Sequence, residues 1–165
     1  MSCGNFYLLD ANIFIEAARR YYAFDIAPCY WVALVERASE NRLASVAAVK
    51  EDIDRGKDEL KDWIKHSFQR WILPADEETI KAYARLMQWS TSHRDYTASA
   101  KDEFARVSDA WLIAHAMAKG SIVVTNETYD PKIRKKIKIP NACREFGVRC
   151  VNTFEMLRGL GVKFV

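Results

Sequence analysis

Four short apolar runs constrain this 165-residue chain more than any other feature: residues 6–9, 43–46, 121–125 and 148–151. Stretches of helical length separate them. Runs that short and that largely apolar read as strands buried on both faces. Strands alternating with helices form a mainly parallel sheet with helices on both sides. The scarcity of turn formers agrees, since 6 Gly and 4 Pro are too few to punctuate a turn-dense β-sandwich. With 50% hydrophobic and 28% charged residues, the chain can pack a core and is not intrinsically disordered. No internal repeat, linker or low-complexity tract divides it. The expectation is one α/β domain over residues 1–165, long enough to fold without disulfide or metal staples.

The segments between the runs carry helix signals. Asn12 caps a first helix with Ile13, Phe14, Ala17 and Ala18 as its apolar stripe. Pro28 opens a second, through about Glu40, and a third lies near residues 49–53. After Gly56, the positions Leu60, Trp63, Ile64, Phe68, Trp71 and Ile72 recur at three- and four-residue spacing. This predicts one long amphipathic helix, a core seam, ended by Pro74. A further helix runs from about Asp76 to Trp89. Residues 92–106 are polar and weakly periodic and read as a loop or loose helical turn. Ser108 caps a helix over residues 110–119 that Gly120 closes. That helix is apolar nearly all round, so its place is central. Residues 140–145 form a short helix before Gly147. Asn152 and Glu155 have capping-box spacing at the start of the last helix.

Composition excludes several functional classes. Asp10 and Glu16 interrupt the apolar N-terminal stretch, which is neither a signal peptide nor a membrane span. The cysteines, Cys3, Cys29, Cys143 and Cys150, form no C-x-x-C pair and no zinc spacing. They read as free thiols of a cytoplasmic protein. No glycine-rich phosphate loop is present. The net charge of +3 permits an anionic partner without demanding one.

The acids point to chemistry. In open α/β sheets, ligands bind beyond the carboxyl ends of the strands. Asp10 follows the first run, and Thr125 and Glu127 follow the third. Asp109 opens the buried helix that feeds the third run. Helix and strand run antiparallel, which brings Asp109 to the same edge. Carboxylates gathered there repel one another and favour a bound cation. Hard oxygen donors without His or Cys suit Mg²⁺ or Mn²⁺. Such ions polarise phosphoryl oxygens and activate water, so the reaction class is phosphodiester hydrolysis.

These residues resemble the PIN domain family of metal-dependent ribonucleases. The likeness rests on YLLDANIFIE at the first strand, SDAWLIAHAMA at the buried helix and VVTNE at the later strand. With KIKIPNACREFGV added, the chain looks like the PIN-like DUF4411 family. The resemblance implies a Rossmann-like sheet, Mg²⁺ or Mn²⁺, and endonucleolytic cleavage of RNA. It also implies the role of a toxin blocked by a cognate antitoxin, and a homodimer. Asp10 and Asp109 would hold the metal, joined by Glu127, which stands where the family usually has Asp. Thr125 would hydrogen-bond a carboxylate or phosphate. The second family acid falls in SVAAVKEDIDRG, where Glu51 is preferred over Asp52 and Asp54.

Beside the acids lies a basic segment, Lys132, Arg134, Lys135, Lys136 and Lys138, suited to an RNA backbone. His115, inside the apolar helix, reads as structural. Two other functions are weighed. An RNA- or protein-binding regulator with a weak metal site would show no metal-dependent stabilisation that Asp10→Asn removes. A haloacid-dehalogenase-like phosphatase needs an acid two residues after its nucleophilic Asp, where this chain has Asn12.

Overall fold

The computed structural model describes residues 4–165. From the N-terminal side, β1 (Tyr7–Leu9) leads into α1 (Ala11–Glu16), which widens into a π-helical turn at Ala17–Tyr21. Next come α2 (Pro28–Ser39), β2 (Leu43–Val46), α3 (Ala47–Asp54), α4 (Glu59–Trp63) and β3 (Ile72–Leu73). The second half holds α5 (Glu77–Ser92), α6 (Ala98–Arg106), α7 (Asp109–Lys119) and β4 (Ile122–Val124). It ends with α8 (Ile139–Glu145), β5 (Cys150–Val151) and α9 (Thr153–Gly159).

Among the described residues the strands form one parallel sheet in the order β3-β2-β1-β4-β5. Tyr7 sits opposite both Leu43 and Ile122, which fixes the register of the central three strands. The chain steps outward from β1 through β2 to β3. It then crosses back to place β4 on the other flank of β1. The β1/β4 boundary is therefore the topological switch point, where the crossovers diverge and leave a crevice beyond the strand ends. Parallel strands joined through helices are expected to cross over right-handed, which on opposite sides of that boundary puts helices on both faces of the sheet.

β1, β2 and β4 are buried along their whole length, as their apolar composition requires. The hydroxyl of Ser45, buried in β2, donates to the Leu9 carbonyl at 2.7 Å. Helix α7 is buried through Ala110, Leu112, Ile113, Ala114, His115 and Ala116. It packs against α5, where Tyr83 stacks on Trp111 with ring centres 3.8 Å apart. Gly120, at φ +68°, ends α7 in the left-handed conformation and lets the chain turn straight into β4. A second cluster joins α1, α2 and the segment after α3. Its rings are Phe14, Trp31, Trp63 and Phe68, with centres 4.8–6.2 Å apart.

Two sequence expectations change. The long helix predicted around residues 60–72 is broken. After α4 the backbone widens into a π-helical turn (Ile64–Phe68), tightens at Gln69–Trp71 and enters β3. The turn lets Phe68 meet Phe14 edge-on, and Ile72 and Leu73 pair with Ser45 and Val46 at the sheet edge. A two-residue strand is too short to leave a periodic signal. Residues 92–106 are not a loop, because α6 occupies most of them. Thr97 caps α6 by accepting from the Ala100 amide at 3.1 Å, and Ala100 and Phe104 bury one face.

The capping box of α9 forms: Glu155 N–H donates to the Asn152 side chain, and Asn152 N–H to the Glu155 carboxylate. Cys29, Cys143 and Cys150 are free, while Cys3 lies outside the described residues. No helix among the described residues is long and apolar enough to cross a membrane.

Candidate active site

The switch point collects polar groups because strand pairing continues past the apolar runs. The Asp10 amide donates to the Val124 carbonyl at 3.0 Å, and the Thr125 amide to the Val151 carbonyl at 2.9 Å. These bonds set Asp10 and Thr125 side by side at the ends of β1 and β4. The Thr125 hydroxyl donates to Asp10 Oδ2 at 3.1 Å and accepts from the Glu127 amide at 3.2 Å. One side chain thus ties the first acid to the turn carrying the last. Asp10 is only 1% exposed. Asp109, the first residue of α7, lies within electrostatic reach of Asp10 and Glu127.

Burial dominates the charges here. It pushes the Asp10 carboxyl from 3.8 up to about 7; Glu127 adds to the rise, and the Thr125 hydroxyl and the Ala11 and Asn12 amides oppose it. Asp109 rises to about 8, through burial first and then the negative charges of Asp10 and Glu127. Lys136 opposes that rise, and Asp52 adds to it. Carboxyls that ionise only near neutrality while facing one another are poised for a cation.

Glu127 is held by other partners. Its Oε2 accepts from the Ile139 amide at the start of α8 at 2.9 Å, and its Oε1 from Lys136 Nζ at 3.2 Å. Lys136 therefore turns inward, away from the outer face expected for the basic segment. Burial works against its charge, but Glu127, Asp109 and Glu103 hold its pKa above the ordinary lysine value. Lys138 reaches the Thr128 hydroxyl at 3.5 Å, and Lys132, Arg134 and Lys135 are exposed.

The structure does not bring Glu51 to this edge. Val49 and Ile53 are buried and set the phase of α3. Position 52, three residues from Val49, shares their face, whereas position 51 lies on the far side and is exposed. Asp54 pairs with Lys50 at 2.5 Å. Asp52 instead accepts from the Ser108 amide at 3.3 Å, directly before Asp109. The apolar spacing of Val49 and Ile53 is the sequence signal that separates these three acids.

Asn126, between Thr125 and Glu127, clamps the edge. Its Nδ2 donates to Glu16 Oε2 at 3.0 Å, and its Oδ1 accepts from the Thr153 amide (3.4 Å) and hydroxyl (3.2 Å). His115 is buried in α7, and burial holds its pKa below the ordinary value.

Among the described residues no three acids, histidines or cysteines come together at metal-ligand spacing. The pair Asp10 and Asp109 nevertheless fits a hard cation. Mg²⁺ typically takes one or two carboxylates and fills its remaining positions with water and substrate oxygens.

A family model described as a domain of unknown function (DUF4411) matches residues 7–164. No curated protein matches the chain in sequence. FitAcB from Neisseria gonorrhoeae superposes with a TM-score of 0.54 at 18% identity, over 90% of this chain and 99% of that one. VapBC2 from Rickettsia felis, bound to a DNA fragment from its promoter, gives 0.52 at 15% identity, over 89% and 98%. FitAB bound to an IR36 DNA fragment gives 0.53 at 16% identity, over 96% and 99%. These likenesses are of fold.

Proposed function

The chain belongs to the DUF4411 family and has a PIN-like fold, and from that premise we propose that it is a metal-dependent endoribonuclease, the toxin of a toxin–antitoxin pair. One observation carries the reading: a buried carboxylate, Asp10, and a half-buried one, Asp109, feel each other's charge at the switch point of a parallel sheet. The similarity of fold to FitAcB and VapBC2 supports a partner protein, which in this reading is a cognate antitoxin.

Asp10 and Asp109 are the residues that would hold Mg²⁺ or Mn²⁺. The chemistry such an ion supplies is charge neutralisation at a phosphoryl oxygen and a lowered pKa for coordinated water. Thr125 fixes the rotamer of Asp10 through its 3.1 Å hydrogen bond and keeps one carboxylate oxygen oriented. Glu127 stands ready to orient the attacking water once Lys136 leaves it. The Lys136 ammonium, among Glu127, Asp109 and Glu103, is placed to exchange a carboxylate for a substrate phosphate. Lys132, Arg134 and Lys135 offer exposed charge for the RNA backbone on either side.

Cleavage of a structured RNA pool with Mn²⁺, beside Asp10→Asn and EDTA controls, tests the reading. Cutting lost in both controls supports it. No cutting by folded, partner-free protein refutes it. A second reading, RNA binding without cleavage, is favoured by one observation: Glu127 is already satisfied by Lys136 and the Ile139 amide. It requires that Mn²⁺ fail to stabilise the protein.

A further inference from the structure

A cleft of about 350 Å³ opens beside the acid edge, lined in part by Ile13, Glu16, Tyr21, Asn126, Thr153 and Phe154. It is continuous with the candidate active site in two ways. Ile13 stands three residues after Asp10 on α1, about 4.5 Å of helical rise away. Asn126 sits between Thr125 and Glu127. Two large rings border the cleft yet stay open to solvent, Tyr21 at 63% and Phe154 at 58%. The core does not use these faces.

We propose that this cleft binds one unstacked nucleobase of the RNA strand next to the scissile phosphate, with guanine preferred. The inference rests on the ribonuclease reading and names the substrate it takes there. The volume lies at the low end of ligand pockets, about 300–1,000 Å³, which suits a single nucleoside and not a duplex. Exposed aromatic faces supply stacking, the usual means by which proteins hold splayed single-stranded bases. The polar wall gives the preference. Glu16 Oε2 already accepts from Asn126 Nδ2, and a carboxylate has further acceptor sites. Among the RNA bases, guanine alone presents two adjacent donors on its Watson–Crick edge. Two arginines precede Tyr21 in the same turn. Arg19 pairs with Asp58, whereas Arg20 is exposed and makes no ion pair among the described residues, which leaves its charge for the nucleotide's phosphate.

The test is fluorescence anisotropy of labelled single-stranded heptaribonucleotides, one with a central guanine and one all-uridine, in EDTA so that nothing is cut. Tyr21→Ala and Phe154→Ala are expected to weaken binding of the guanine strand about 5-fold or more. Phe154→Trp is expected to retain binding, and Glu16→Gln to erase most of the guanine preference. Both rings are exposed, and circular dichroism checks that each variant folds. RNA binding that is equal in wild type and both alanine variants overturns the cleft assignment and leaves the nuclease reading standing. Variants that lose a co-purifying protein partner but not RNA overturn it too, and give the cleft to a protein. Wild type that binds neither strand overturns both readings.

Discussion

Replacing Asp10 by Asn should stabilise the metal-free protein at alkaline pH. A carboxyl raised from 3.8 to about 7 carries, at about 1.4 kcal/mol per pH unit, roughly 4 kcal/mol against its ionised form in the fold. Below about pH 4 both folded and unfolded chains hold the group neutral, so Asn and Asp are equivalent. Between pH 4 and about 7 the unfolded chain releases the proton while the fold retains it. Stability therefore falls with rising pH, and levels off once the folded group ionises. Asp109, raised to about 8, extends the decline by one unit. Asn removes the Asp10 share at the cost of a weaker bond to Thr125, about 1 kcal/mol. The net gain near pH 8 is about 3 kcal/mol, or about 6–12 °C in Tm for a domain of this size. The assay is thermal melting from pH 4 to 9 in EDTA, repeated with Mn²⁺. At a hundredfold excess over Kd, the ion should raise wild-type stability by about 2.7 kcal/mol and leave Asp10→Asn unmoved. An Asp10→Asn protein no more stable than wild type at pH 8, or a difference independent of pH, would refute the account of a strained buried acid.

Other expected outcomes follow from single contacts. Asp52→Ala should cost about 1–2 kcal/mol in urea unfolding, because the buried Ser108 amide loses its acceptor, while Glu51→Ala should stay within about 0.5 kcal/mol. Lys136→Met should tighten Mn²⁺ binding in calorimetry by about tenfold, since one close positive charge leaves Glu127 and Asp109. Lys132→Ala with Lys135→Ala should weaken all RNA sequences alike and reduce the salt slope by about one per lysine. Gly159→Ala should lower stability by about 1–3 kcal/mol on melting, because a Cβ there would lie 2.1 Å from the Tyr7 hydroxyl.

Much of this fold is legible in the order of residues. The apolar run before Asp10 and the one before Thr125 can only be buried strands, and the all-round apolar α7 can only be central. The capping pair Asn152 and Glu155 is local chemistry and needs no distant partner. Local signals fail where distant atoms decide. Nothing near Ile72 and Leu73 marks a strand, because β3 exists only through its pairing with Ser45 and Val46. The break after Trp63 belongs to the ring cluster with Phe14 and Trp31, which lie far away in sequence.

The candidate site divides in the same way. Sequence alone determined that Asp10 and Glu127 lie just past strand ends and that Asp109 opens a helix, because strand ends and helix starts follow from short-range patterning. Tertiary structure decided which acids carry strain, since a pKa depends on burial and on charges brought from other elements. It decided that Asp52 and not Glu51 faces inward, a matter of which side of α3 meets the core. It also decided that Lys136 turns to Glu127 while Lys132 and Lys135 stay outside. One basic run holds all three lysines, and only the three-dimensional position of an acid nine residues away separates them.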